Sequence, residues 1–118
     1  IGYLNYGYVN GGKFQQVALQ NKAGNFVKAN AETSAAGLAK IVLDDKLRGA
    51  DPNPAGANAY PIVSLTWILA YPESTPGVKE TLRYMLSEKS QGISDSLGYV
   101  PLPESLRQKA LAAVDSIK

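Results

Sequence analysis

Apolar residues are scattered along this chain except between Ala59 and Tyr71, where AYPIVSLTWILAY forms its one long apolar run. The run is rich in β-branched and aromatic residues, follows the Pro/Gly/Asn cluster RGADPNPAGAN and is closed by Pro72. It is too short for a bilayer-spanning helix, which takes about 20 residues, and its composition predicts a strand. Strict alternation would put Val63, Leu65, Trp67, Leu69 and Tyr71 on one face and Ile62, Ser64, Thr66, Ile68 and Ala70 on the other. Neither face is one expected to meet water. The pattern therefore predicts a buried strand in the middle of a sheet, covered on both sides as in α/β proteins. Pro61, lacking an N–H, suits the start of the strand.

Elsewhere the periods are shorter. Residues 1–9, IGYLNYGYV, alternate as a strand, and Asn10-Gly11-Gly12 breaks the pattern. Phe14–Gln20 and Asn25–Ala29 read as two extended stretches joined by a turn at Lys22-Ala23-Gly24. From Glu32 to Leu47, Leu38, Ile41 and Val42 fall at i, i+3, i+4 behind a possible Thr33 or Ser34 cap, which predicts an amphipathic helix. Arg48–Asn58 has the composition of a loop. Ser74-Thr75-Pro76 signals a second helix, with Val78, Leu82, Met85 and Leu86 on one face, running to about Ser90. Gln91–Leu97 predicts another helical turn stopped by Gly98, Tyr99–Pro103 an extended connection, and the remainder a last helix with Leu106, Ala110, Val114 and Ile117 inward.

Composition narrows the function. The chain has 118 residues, enough for one unit, and a net charge of +2 with acids and bases interspersed. Nothing resembles the basic stripe of a nucleic-acid binder or a membrane-surface patch, so no nucleic-acid partner is expected. Without cysteine or histidine, thiolate metal sites, disulfides and the usual Ser-His or Cys-His pairs are excluded, and no cofactor, metal or catalytic residue is assigned. The first residue is Ile with no charged and apolar leader before it, which fits a piece of a longer chain.

Few side chains are placed for chemistry. Asp44 and Asp45, adjacent on a predicted helix, point apart and read as solvated. Gly7, Gly11 and Gly12 follow the first stretch, but neither a close helix start nor a lysine-serine pair follows, so a turn is the better reading than a phosphate loop. Ser64 and Thr66 share a strand face from which they could reach a ligand, although buried hydroxyls usually bond to backbone. Tyr3, Tyr6, Tyr8, Tyr60, Tyr71, Tyr84 and Tyr99 could line a cleft or serve as packing.

Three stretches taken together, IGYLNYGYV, ADPNPAGANAYPIVSLTWILAY and LGYVPLPESLRQKALAAVDSIK, with NKAGNFVKAN between the first two, resemble the C-terminal portion of the periplasmic phosphate-binding proteins of ABC importers, the PstS type. The resemblance implies an α/β chain that is part of a two-lobed periplasmic-binding-protein fold, type II-like, with a mixed sheet flanked by helices. On that analogy residues 1–48 belong to one lobe, 49–58 form an inter-lobe loop, and 59–118 return to the other lobe. It implies a periplasmic, secreted or cell-surface location, inorganic phosphate as ligand and a membrane permease as partner. The family's phosphate ligands precede Ile1, so no ligand-binding residue is carried over, and Arg48, Arg83 and Arg107 stand outside its arginine motif. The expected function is the C-terminal part of a phosphate receptor. The alternative is a free-standing, non-enzymatic interaction module derived from such a protein; a small hydrolase would have no recognisable constellation to work with.

Overall fold

The computed structural model describes residues 2–9 and 12–118. It is a helical chain with one small hairpin: α1 (Tyr6–Val9), β1 (Leu19–Gln20), β2 (Phe26–Val27), α2 (Ala31–Leu38), α3 (Val78–Met85), α4 (Glu88–Gly92) and α5 (Glu104–Asp115). A short 3-10 turn spans Asp95–Leu97.

The predicted hairpin forms, with shorter strands than expected. Leu19 faces Val27 and Gln20 faces Phe26 in antiparallel register. Gly24, at φ 85°, supplies the left-handed turn conformation that glycine adopts without steric cost. The strand expected at the N-terminus is corrected among its described residues: Tyr6–Val9 is a single helical turn, begun where the Asn5 carboxamide oxygen accepts the Gly7 N–H at 3.2 Å. Local side-chain bonding of this kind competes with a strand ladder. Ile1, Asn10 and Gly11 lie outside the described residues.

The helix predicted over 32–47 ends at Leu38. Its N-cap is Asn30, not Thr33 or Ser34; Asn30 accepts the Thr33 N–H at 2.8 Å while the Thr33 hydroxyl accepts the Asn30 N–H at 3.2 Å, a reciprocal capping box. Further on, the chain forms a separate turn around Asp44, whose Oδ1 accepts the N–H groups of Lys46 and Arg48 at 2.9 and 2.8 Å. Leu38 and Ile41 are buried as predicted, whereas Val42 is exposed. The helix expected from Ser74 to Ser90 is two helices. Gly77 is the N-cap of α3, the Ser74 hydroxyl having turned back to donate to the Tyr71 carbonyl at 2.6 Å. Ser87 separates α3 from α4 by accepting the Ser90 N–H at 3.2 Å. The final helix begins after Pro103 and buries Leu106 and Val114, with Ile117 just beyond its end.

The core centres on Leu38, Ile41 and Leu106, with Leu43, Val63, Leu65 and Val100 packed around them. α3 packs against α5 and α4. The expected buried central strand is corrected here. Residues 62–66 do alternate, with Val63 and Leu65 half-buried toward the core and Ile62, Ser64 and Thr66 exposed. From Trp67 onward every residue of the run is exposed, Trp67 at 45% and Leu69 at 96%. No strand partner flanks the run among the described residues. The physical reason is a lack of neighbours: the sheet present here is the two-stranded hairpin, and its strands are occupied with each other.

Candidate functional site

Residues Ile62 to Pro72, Leu69 excepted, line an open cavity of about 1680 Å³ together with Leu82, Met85 and Leu86 and with Ala110, Val114 and Ile117. Phe14 to Val17 and the N-terminal residues form another wall. Ser64 and Thr66 border it, and so do Tyr3, Tyr6, Tyr60, Tyr71 and Tyr99, which brings five of the scattered tyrosines to one place; Tyr8 and Tyr84 are elsewhere. Ser64 donates to the Leu65 carbonyl at 3.3 Å. The lining is chiefly apolar and aromatic, a surface suited to covering by other apolar groups and not to holding an ion.

Electrostatics point the same way. Each of the three arginines is ion-paired. Arg48 meets Asp44 at 2.8 Å, Arg83 meets Asp115 at 3.2 Å, and Arg107 lies 2.8 Å from Glu104 and 3.7 Å from Glu88. Arg107, with a side chain only 11% exposed, also donates to the Leu86 carbonyl at 3.1 Å, tying α5 to the end of α3. Hydrogen bonds from the Arg48 backbone and side chain hold Asp44 below the usual carboxylate range; those from Arg107 and then Gln108 do the same for Glu104. Each helix of eight residues or more carries an acid in its first turn: Glu32, Glu80 and Glu104. A carboxylate there already complements the positive helix end and repels an incoming anion. The Ser74 hydroxyl turns back to the Tyr71 carbonyl, and the Thr75 carbonyl accepts the Val78 N–H at 3.2 Å. Tyr6 donates to Asp95 at 3.2 Å, and burial followed by that carboxylate pushes its phenol pKa up. Among the described residues no group of three or more Asp or Glu is placed to hold a metal.

One residue escaped the sequence reading. Asn21 is 5% exposed, and its amide donates to the carbonyls of Gly56, Ala57 and Ala59 at 3.1, 2.9 and 3.2 Å. Its oxygen accepts the N–H groups of Ala23 and Asn25 at 3.0 and 3.1 Å. Asn25 adds a bond to Ala57 at 3.0 Å. The signal available was an asparagine on each side of a Lys-Ala-Gly turn; what it lacked was the identity of the loop opposite.

No protein-family model matches the chain. Curated relatives match it throughout. The phosphate-binding protein PstS of Methanocaldococcus jannaschii is 30% identical over 141 aligned positions, covering 100% of this chain and 35% of the relative. That of Pasteurella multocida is 30% identical, covering 95% of the chain and 34% of the relative, and that of Xylella fastidiosa strain Temecula1 is 34% identical, covering 90% and 31%. The class these relatives define is that of solute-binding proteins for phosphate. Within it, the chain is PstS-like in sequence from end to end, and it spans about a third of the length of the relatives it matches. No helix among the described residues is long and apolar enough to cross a membrane.

Proposed function

We propose that this chain is the C-terminal part of the substrate-binding component of a phosphate ABC importer, a non-enzymatic receptor working outside the cytoplasmic membrane and delivering inorganic phosphate to a membrane permease. The match to PstS proteins along the whole chain carries this reading. Within it the chain supplies scaffold, not phosphate ligands. Stripping water from a phosphate dianion requires several convergent donors, and here all three arginines are paired and all three longer helices carry an acid in the first turn. We also propose that residues 1–48 and 59–118 belong to different lobes with 49–58 between them.

Titration calorimetry tests the assignment. The 118-residue chain is expected to show no saturable phosphate binding, whereas a complete receptor containing it binds phosphate tightly. Micromolar binding by the chain alone, undisturbed by sulfate, would overturn the scaffold role, and Ser64, Thr66, Ser74 and Thr75 would be the first residues to replace. Absence of binding by the complete receptor would overturn the phosphate assignment itself. The exposed half of the apolar run, Trp67 to Tyr71, favours a second reading, an interaction module.

A further inference from the structure

We propose that Asp44 closes an acid-released latch, in which the turn 44–48 presents the Leu47 carbonyl to the Trp67 indole and so pins the apolar run to that turn. The turn is built on one carboxylate. Asp44 Oδ1 accepts the N–H groups of Lys46 and Arg48 at 2.9 and 2.8 Å, while Oδ2 accepts the Arg48 Nε–H at 2.9 Å and lies 2.8 Å from a terminal guanidinium nitrogen. The backbone closes the same turn twice, the Asp44 N–H donating to the Arg48 carbonyl and the Leu47 N–H to the Asp44 carbonyl, both at 2.9 Å.

This closure holds Leu47 at φ 58°, a left-handed conformation that a residue with a Cβ adopts only against a steric penalty. In it the Leu47 carbonyl accepts the Trp67 indole N–H at 2.7 Å. Among the described residues this is the only hydrogen bond that ties residues 63–70 to a distant part of the chain. Asp44, Arg48, Gly49, Ala50 and Trp67 border one small surface hollow. Arg48 is the charged group that faces the Asp44 carboxylate, Asp45 and Lys46 flank it in the chain, and residues 61–70 bring no ionisable side chain to the contact. Bonds from the Arg48 backbone and then its side chain favour the ionised carboxylate and hold its pKa below the usual range. Protonation leaves a neutral acceptor and replaces charge-assisted bonds with weaker ones. The latch is therefore closed above the unfolded carboxylate pKa and lost as pH falls through the lower, folded one.

Trp67 is the single tryptophan, so the isotope-labelled chain gives one indole N–H resonance to follow by NMR. That resonance is expected to titrate with the midpoint of the Lys46 and Arg48 amides, below about 3.9, while the methyl signals of Leu38, buried in the core, stay in place. Asp44→Asn, which keeps an oxygen acceptor but cannot ionise, is expected to abolish the titration. Asp44→Ala, with no acceptor, is expected to speed exchange of the indole N–H with water at pH 7 at least about tenfold, as local opening does. An indole resonance that ignores acid, that titrates in Asp44→Asn, that shifts only together with the Leu38 methyls, or whose exchange is unchanged by Asp44→Ala would each overturn the latch.

Discussion

Asn21 joins three parts of the chain because a carboxamide is donor and acceptor at once. It closes the hairpin turn through its oxygen and fixes the 56–59 loop through its nitrogen. Asn21→Ala would leave buried carbonyls and N–H groups unsatisfied, and is expected to lower the unfolding free energy by about 3 kcal/mol in a urea titration. Asn21→Asp is expected to do no better, since a carboxylate has no donor for the three carbonyls. Asp44 makes a pH-dependent contribution. Its carboxylate is stabilised by bonds formed only in the folded turn, so its folded pKa lies below that of an unfolded aspartate, about 3.9. The stabilisation is therefore fully present above about pH 4 and lost as pH falls through the lower, folded pKa. Amide shifts of Lys46 and Arg48 followed by NMR are expected to titrate with that lowered midpoint, and Asp44→Asn to remove the titration.

At the scale of elements, α2 is defined by what touches it. The Tyr60 N–H donates to the Thr33 carbonyl at 3.0 Å, laying the start of the apolar run against the helix. Gly37 permits this approach: a Cβ there would lie 2.7 Å from the Tyr60 carbonyl oxygen and 3.1 Å from Val63. Gly37→Ala is expected to destabilise by about 1–2 kcal/mol, the clash outweighing the gain in helix propensity. Gly92→Ala, at the end of α4 with open space around it, is expected to be neutral or stabilising by up to about 1 kcal/mol. Thermal melts should show a lowered midpoint for Gly37→Ala and an unchanged or raised one for Gly92→Ala. The close approach of Gly7 to Gly98, where a Cβ on Gly98 would meet the Gly7 Cα at 2.4 Å, sets α1 beside the end of the 3-10 turn in the same way.

At the scale of the molecule the chain is loosely filled. Its radius of gyration is 15.6 Å, against about 13.5 Å for a compact domain of this length. The excess follows from the cavity beneath residues 62–72 and from an apolar run whose second half finds nothing to pack on.

The sequence by itself determined the features that depend on neighbours in the chain. Gly24 set the hairpin turn, Gly98 the end of the 3-10 turn, and Pro103 with Leu106, Val114 and Ile117 the last helix and its inward side. The motifs likewise carried the PstS likeness. The phosphate assignment draws no support from any side-chain constellation among the described residues, where all three arginines are engaged in ion pairs. Only the tertiary structure decided that Ile62–Tyr71 has no sheet to enter, that Asn21 holds the 56–59 loop, and that five tyrosines border one cavity. Period and propensity report what a segment can bury; whether anything arrives to cover it is a property of the elements around it.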